Sequence, residues 1–173
     1  MCPSLPEKDI HTYVIQMKVM ITGHRPDKLG GYDENNPVAK KIKTELSMQL
    51  ELLLLEDPKI EIITGLAQGV DTWFAEIGIE KNIPIHAYIP FTGQESMWPE
   101  KAQERYREIL AKCKVAKFIS QEVSKKAFLQ RNDAMVRDAD IAIAVWDESS
   151  NSGTGYTIRK LKLVRKKIII INT

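Results

Sequence analysis

The sequence predicts a single α/β domain of the Rossmann type, in which a mostly parallel, doubly wound sheet carries helices on both faces. The chain has 173 residues, the length of one ordinary domain, which leaves no room for a second. Short apolar runs alternate with helical patterns along it, and this alternation favours parallel strands joined by right-handed crossovers. The runs at 141–145 and 168–171 are so continuously apolar that we expect both strands to be covered on both faces.

The strands are predicted from short apolar runs that end at glycine or proline, residues that interrupt extended structure. The first run stops at Gly23 and Pro26, the second at Gly65 and the third at Pro90. Together the runs predict six strands, at residues 18–22, 60–64, 84–89, 115–120, 141–146 and 167–171.

The helices are predicted between these strands. Asn36 can cap the first helix with its side chain, and Pro37 can begin it, because proline is tolerated at the first helical position. Pro58 ends this helix, and its apolar face comprises Val38, Ile42, Leu46, Leu50 and Leu53. Further helices are predicted over about 70–81, 99–112 and 125–137, and from about 154.

Composition excludes several classes of protein. The formal charge is +2, from 25 Lys and Arg against 23 Asp and Glu, so no general attraction to nucleic acid or anionic membranes is expected. The apolar runs are far shorter than the roughly 18 to 20 residues that span a bilayer. Cys2 and Cys113 provide neither a disulfide framework nor a four-ligand zinc site, which favours reduced thiols in the cytoplasm. Residues 1–16 lack a secretion signal and are interpreted as an arm before a domain at 17–173.

Three loops at the predicted carboxyl ends of strands contain residues suited to binding. In NSGTGYT, residues 151–157, glycines give an anion access to backbone N–H groups, and the helix start adds partial positive charge. A capped turn is the alternative for this loop, and both remain open. In residues 64–71, Asp71 either caps the next helix or accepts a hydrogen bond from a ribose. In residues 22–26, Arg25 either pairs with a phosphate or is simply solvated.

Four acidic residues are candidates for catalysis, namely Asp71, Asp133, Asp147 and Glu148. Near a bound sugar, a carboxylate can orient hydroxyl groups or attack the anomeric carbon. A polar loop is the alternative interpretation of Asp147 and Glu148. The three histidines are scattered along the chain, so no metal site and no cofactor are expected.

Two further patterns fit ordinary structure as well as binding. The basic run from Arg159 to Lys167 is typical of a solvated helix face, and single-stranded nucleic acid is the alternative partner. Three aromatic residues, Trp73, Trp98 and Tyr106, are typical of a core and are alternatively suited to stacking on a base.

Taken together, the motifs resemble the SLOG superfamily, the Rossmann-like group that includes DprA, the cytokinin-activating LOG phosphoribohydrolases and the YpsA/YoqJ proteins. The segment TGLAQGVDT at 64–72 is similar to the DprA stretch after its second strand. Arg131-Asn132 and the later ADIAIAV at 139–145 are similar to the arginine helix and the strand of the same family, and SGTGYT at 152–157 supplies its third loop. The opening TGHRPDKLGGY at 22–32 most resembles the YpsA/YoqJ branch.

The resemblance implies a nucleotide or nucleotide-derived ligand, with its phosphate on the loop at 152–157. In LOG enzymes this loop runs into a glutamate that serves in cleavage of the N-glycosidic bond, whereas Arg159 stands at the matching position here. A module that senses or sequesters a nucleotide-type small molecule is therefore the leading interpretation. Hydrolysis of a nucleotide N-glycosidic bond is one alternative and DprA-like binding of single-stranded DNA is another, while a homo-oligomer remains open. The predicted ligand-binding residues are Thr22, Gly23, His24, Arg25, Gly65, Leu66, Gly69, Asp71, Arg131, Ser152, Gly153, Thr154, Gly155 and Thr157.

Overall fold

The computed structural model describes residues 16–173, so the predicted arm at 1–16 lies outside the described residues except for its last position. The strands are β1 (Lys18–Gly23), β2 (Glu61–Thr64), β3 (Ile85–Ile89), β4 (Val115–Phe118), β5 (Ile141–Trp146) and β6 (Lys167–Asn172). The helices are α1 (Pro37–Glu56), α2 (Val70–Glu80), α3 (Glu100–Lys112), α4 (Lys125–Asp138) and α5 (Gly153–Leu163). A short 3-10 helix, Pro26–Lys28, follows β1.

The strands form one sheet in the order β4-β3-β2-β1-β5-β6, and every neighbouring pair is parallel. Successive side chains of β1 face opposite sides, as the pleat requires. Val19 and Ile21 pack into a core with α1, α2 and α3, whereas Met20 packs into a second core with α4 and α5. The predicted Rossmann-like α/β fold, with helices on both faces of the sheet, is confirmed.

The direction of winding reverses between β1 and β5. The chain first adds β2, β3 and β4 on one side of β1, then returns to place β5 and β6 on the other side. The connections that follow β1 and β5 therefore leave toward opposite faces of the sheet. This divergence opens a crevice at the carboxyl ends of the two strands, where doubly wound sheets bind their ligands.

Burial departs from the sequence prediction at two places. Val38 is 37 % exposed, although the sequence predicts it on the apolar face of α1, because its neighbour Ala39 faces the core in that turn. The prediction that 168–171 is covered on both faces is also wrong, since β6 pairs with β5 alone and Ile170 is 41 % exposed. The matching prediction for 141–145 is confirmed, because β5 lies inside the sheet and those five residues are buried.

No helix among residues 16–173 combines the length and the apolar character that crossing a lipid bilayer requires.

Candidate functional site

A cleft of about 340 Å³ opens at the carboxyl ends of β1 and β5, where the winding reverses. Its walls come from the loop after β1, the first turns of α2 and α5, and the middle of α4. Nine of the predicted ligand-binding residues line it: Thr22, Gly23, His24, Arg25, Asp71, Arg131, Ser152, Gly153 and Thr154. The fold thus brings predicted residues from four separate segments of the chain around a single cavity.

The first turn of α5 is a capped turn, as one of the two interpretations predicts, and its residues 152–154 line the cleft. Ser152 caps the helix, since its Oγ accepts a hydrogen bond from the Gly155 N–H at 3.0 Å. The first helical backbone bond runs from Tyr156 N–H to the Ser152 carbonyl at 2.9 Å, so the N–H groups of Gly153 and Thr154 precede the helical ladder. Together with the helix dipole, these two N–H groups give the cleft wall a partial positive charge.

Gly155 and Thr157 support this turn from behind the cleft wall. A Cβ at Gly155 would lie 2.6 Å from the Ser149 carbonyl oxygen, so the close packing of the loop on the helix requires glycine. The hydroxyl of Thr157 is buried and donates to the Gly153 carbonyl at 3.0 Å. Both residues therefore shape the anion-suited turn without lining the cavity.

Arg131 enters the cleft from α4 and is only 6 % exposed. Its Nη1 donates to the carbonyl of Gly65 at 3.0 Å and points to that of Tyr88 at 3.5 Å, which ties the guanidinium to the ends of β2 and β3. A Cβ at Gly65 would lie 1.7 Å from Nη1, so the arginine occupies the space that a side chain at position 65 would need. Because Gly65 has no side chain, the Arg131 guanidinium can pack directly against the backbone after β2.

Asp71 lies beside Arg131 in the cleft wall and is 8 % exposed. The helix cap predicted for this residue is absent, because Gly69 stands at the cap position of α2 and Asp71 lies inside the first turn. Its Oδ2 accepts from the N–H of Ala67 at 3.4 Å. Burial raises the pKa of this carboxyl above its ordinary value, and the opposing effect of Arg131 is smaller. Burial likewise lowers the pKa of Arg131, and Arg25 lowers it further.

Leu66 and Gly69 form the turn behind this wall. Leu66 is 1 % exposed and Gly69 lies against the carbonyl oxygen of His24, from which a Cβ would be 2.9 Å away. Both residues have positive φ, 51° and 95°. This turn brings the loop after β2 against the loop after β1.

Phe128 is shared by the two arginines of the cleft. The guanidinium carbon of Arg25 lies 5.8 Å from the centre of the Phe128 ring, and that of Arg131 lies 6.0 Å from it. The ring also packs edge-on against Phe91, with 5.3 Å between ring centres. Contacts of a cation with an aromatic face at these distances are attractive, so Phe128 helps to hold the exposed Arg25 at the cleft.

His24 and Asp147 join the loops after β1 and β5. The His24 Nε2 lies 2.8 Å from the Asp147 Oδ1, and Lys28 donates to Oδ2 at 3.1 Å. Asp147 also accepts from the backbone N–H and hydroxyl of Ser149. These contacts lower the pKa of Asp147, with those from Ser149 having the largest effect.

Of the four acidic candidates, all within residues 16–173, Asp71 alone lines the cleft. Asp133 accepts from the Tyr156 hydroxyl at 2.9 Å on the outer surface of α4 and α5. Asp147 is engaged in the loop contacts with His24, Lys28 and Ser149, and Glu148 is exposed with a φ of 64°.

Sequence reasoning missed much of the wall that α4 contributes. Phe128, Leu129, Asn132 and Met135 line the cleft, as do Asp27, Lys28 and Ala67 from two loops. One signal was available, because Phe128 precedes Arg131 by three positions and residues so spaced share a helix face. Among residues 16–173, no group of three or more His, Cys, Asp or Glu side chains is placed to hold a metal ion.

The parallel sheet, its reversal of winding and the cleft at that point define a Rossmann-type α/β protein with a cavity at the switch of winding direction. The YspA SLOG family matches residues 19–170, and the chain belongs to this family. The resemblance predicted from the motifs is thereby confirmed.

Two relatives show how far the similarity extends. The chain is 31% identical over 149 residues to a UPF0398 protein of Lysinibacillus sphaericus (strain C3-41), and the match covers 82% of each chain. It is 27% identical over 152 residues to a UPF0398 protein of Bacillus pumilus (strain SAFR-032), covering 83% of this chain and 81% of that one.

Two solved structures share the fold. The DNA processing protein A of Streptococcus pneumoniae superposes with a TM-score of 0.61 at 18% identity, covering 90% of this chain and 50% of that chain. The Helicobacter pylori protein of the same name, described for its single-stranded DNA binding mode, gives a TM-score of 0.63 at 21% identity, with 89% and 64% covered. This chain thus spans about half the length of the S. pneumoniae protein, and the likeness shows a common fold.

Proposed function

We propose that this protein binds a nucleotide or a nucleotide-derived phosphorylated small molecule in the cleft between β1 and β5, as a sensor or a sequestering module. One observation carries the proposal: Arg25, Arg131 and the first turn of α5 surround one cavity. Neither guanidinium forms an ion pair of 4.0 Å or less with a carboxylate of residues 16–173. The absence of a paired carboxylate at either guanidinium, within the part of the chain that the structure describes, supports an anionic ligand in this cavity.

The cavity suits a small anionic ligand in size as well as in charge. Its volume of about 340 Å³ falls in the range of roughly 300 to 1,000 Å³ that small-molecule sites occupy. The apolar wall from Phe128, Leu129 and Met135 gives a base or sugar a surface to pack on, opposite the polar start of α5. A phosphate at the helix start and an apolar group on α4 would use both walls.

Calorimetric titration with AMP and ADP tests the proposal. We expect Arg25→Ala to weaken binding about tenfold or more, because a charge-assisted phosphate contact is lost. The matched control is Arg107→Ala, which removes an arginine from the exposed surface of α3 and leaves the affinity unchanged. Folded protein that binds none of the nucleoside mono- and diphosphates contradicts the proposal.

Hydrolysis of a nucleotide N-glycosidic bond is a second candidate, and the position of Asp71 favours it. A buried carboxyl with a raised pKa beside an arginine is suited to acid catalysis or to orienting a sugar hydroxyl. Release of free base from AMP, followed by chromatography, is the measurement, and Asp71→Asn should abolish the release while Asp133→Asn leaves it intact. If both variants release base at the parental rate, hydrolysis through Asp71 is wrong.

Binding of single-stranded DNA is a third candidate, which the fold shared with the H. pylori protein supports. Two basic groups of the last helix region already donate hydrogen bonds, Arg159 to the Ser150 carbonyl and Lys166 to backbone carbonyls at the end of α4. An oligonucleotide held by the remaining surface charges would lose affinity steeply as salt rises. A flat salt response excludes this candidate.

A further inference from the structure

We infer that a second pocket beside the cleft receives the second ring system of an extended ligand, so that the preferred ligand is a dinucleoside diphosphate. This ligand consists of two nucleosides joined through a pyrophosphate. The inference rests on the proposed nucleotide binding and names the ligand class of that same site.

The second pocket has a volume of about 250 Å³ and lies toward α2 and α3, across the sheet edge from the wall that α4 forms. Segment 24–28 and segment 67–69 contribute to both cavities, with Arg25 and Ala67 facing the cleft and Pro26, Gln68 and Gly69 facing the pocket. The two cavities therefore back onto the same two stretches of chain.

The wall between the two cavities is thin because Gly69 has no side chain. A Cβ at this position would lie 2.9 Å from the His24 carbonyl oxygen, 3.1 Å from the Pro26 Cδ and 3.3 Å from the Arg25 Cα. The backbone segments are thus in direct contact, with no intervening layer of side chains. We call this thin wall, formed by segments 24–28 and 67–69, the ridge. A ligand that occupies both cavities needs to span only the width of these two segments.

The guanidinium in the second pocket is neutralised by carboxylates of the protein itself. Arg105 lines the pocket, but its Nε donates to Glu76 at 2.6 Å and its Nη1 to Glu34 at 2.6 Å. Glu34 also accepts from Lys43 at 2.5 Å. Burial on its own would raise the pKa of Glu34, yet the hydrogen bonds from Arg105 and Lys43 hold it at about 2. This saturated cluster offers no free guanidinium to a phosphate, unlike the cleft.

Aromatic side chains make the second pocket suited to a planar ring, whereas the cleft is suited to an anion. Tyr32 lines it and is 66 % exposed, while Trp98 is half-buried and packs edge-on against Tyr106 with 5.6 Å between ring centres. Gln68 and Lys101 line the same pocket, and their side chains carry polar groups suited to the edge of a ring. An uncharged heterocycle is the ligand that stacking surfaces with a few polar groups recognise.

Arg25 stands on the ridge between the two cavities. Its side chain lines the cleft, while its Cα is one of the atoms that press on Gly69 from the other side. A pyrophosphate that crosses the ridge would meet this guanidinium and the start of α5, with one nucleoside in the cleft and the second ring between Tyr32 and Trp98. The cationic cleft suits the pyrophosphate and the aromatic pocket suits an uncharged ring, so the two cavities match the two parts of such a ligand.

Calorimetry with AMP, ADP and diadenosine diphosphate tests the inference. We expect diadenosine diphosphate to bind about tenfold tighter than ADP, and Tyr32→Ala to remove this advantage while leaving the affinity for ADP unchanged. Tyr32→Phe keeps the ring and should retain the advantage. Phe118→Ala removes a comparably exposed ring from the edge strand β4 and is the matched control. Circular dichroism of each variant verifies that it is folded.

The outcomes separate this inference from the proposed function. Equal affinity for ADP and diadenosine diphosphate overturns the inference and leaves nucleotide binding in place. A Tyr32→Ala variant that loses affinity for ADP to the same extent also overturns it, because the ring would then contact the first nucleoside. Absence of binding by all three probes overturns both proposals. A short single-stranded oligonucleotide that binds tighter than diadenosine diphosphate and depends on Tyr32 assigns the pocket to DNA and overturns the dinucleotide.

Discussion

Two buried carboxylates at opposite ends of the sheet differ in their partners, since, among the described residues, one is ion-paired and the other is not. Glu61 begins β2 at the amino end of the sheet and is 2 % exposed, and Asp71 lies at the carboxyl end and is 8 % exposed. Glu61 contacts the His86 Nε2 at 2.5 Å and is ion-paired with Lys114. Asp71 accepts from a backbone N–H and forms no ion pair of 4.0 Å or less with a described residue.

The pKa values of the two groups move in opposite directions for this reason. Burial favours a higher pKa in both, but Lys114 and His86 lower the pKa of Glu61 below its ordinary value. The pKa of Asp71 is raised, because Arg131 offsets only part of the effect of burial. Removing one partner of the paired carboxylate should therefore destabilise the protein, whereas the carboxyl in the cavity, unpaired among the described residues, is a candidate for contact with a ligand.

The largest expected effect is at Glu61. Glu61→Gln should lower the free energy of unfolding by about 2 to 3 kcal/mol in urea titration, less than for a wholly buried pair because Lys114 is half exposed. The control Glu51→Gln breaks an exposed pair with Lys81 and should leave the urea midpoint unchanged. Equal urea midpoints for Glu61→Gln and the parent protein would show that the contacts of Glu61 with His86 and Lys114 do not stabilise the fold.

Gly65→Ala should lower the free energy of unfolding by about 2 kcal/mol, because the new methyl displaces the buried Arg131 guanidinium from its carbonyl partners. The same urea titrations on Arg131→Met and on the double variant form a double-mutant cycle. We expect the cost of Gly65→Ala to be mostly absent when position 131 is Met. Strictly additive costs would show that the glycine is needed for another reason.

The smallest expected effect is at Asp71, and it has the opposite sign. Because its pKa is raised above 3.8, the native state binds this proton more tightly than the unfolded state, so stability falls as pH rises through the raised value. Asp71→Asn should abolish this fall and raise the free energy of unfolding at pH 7 by up to about 1 kcal/mol. Glu61, with a lowered pKa, contributes stability above pH 4.5 that is lost as pH falls. Urea titrations between about pH 2 and pH 8 measure both slopes, and an Asp71→Asn variant less stable than the parent at pH 7 would contradict the comparison.

The fold was largely predictable because local signals agree along the chain. The predicted cap at Asn36 is present, since its side chain accepts from the Ala39 N–H at 2.9 Å, whereas the cap predicted as one role of Asp71 is absent. Apolar runs located all six strands of the described residues to within a few positions. The edge position of β6 was not predictable, because four consecutive isoleucines, 168–171, are equally compatible with an interior strand.

The cleft was predictable in part, since glycines and hydroxyl residues at strand ends indicate backbone exposed to a ligand. Sequence patterns located Arg131 but not its packing on Gly65, because that contact joins residues 66 positions apart. The role of Phe128 between two arginines and the pocket at Tyr32 depend in the same way on tertiary proximity. Local spacing identifies which groups are available, whereas their partners are decided by the assembled sheet.

Lys166, immediately before β6, donates from one ammonium group to the carbonyls of Val136, Arg137 and Ala139. These carbonyls belong to the end of α4, the helix that carries Arg131 into the cleft. During synthesis on the ribosome, α4 emerges before Lys166. The last carbonyls of α4 therefore lack this donor until Lys166 has been synthesised. The end of α4 therefore gains these three hydrogen bonds only after the segment around residue 166 has left the exit tunnel, later than the contacts of Arg131 with Gly65 and Tyr88 become possible.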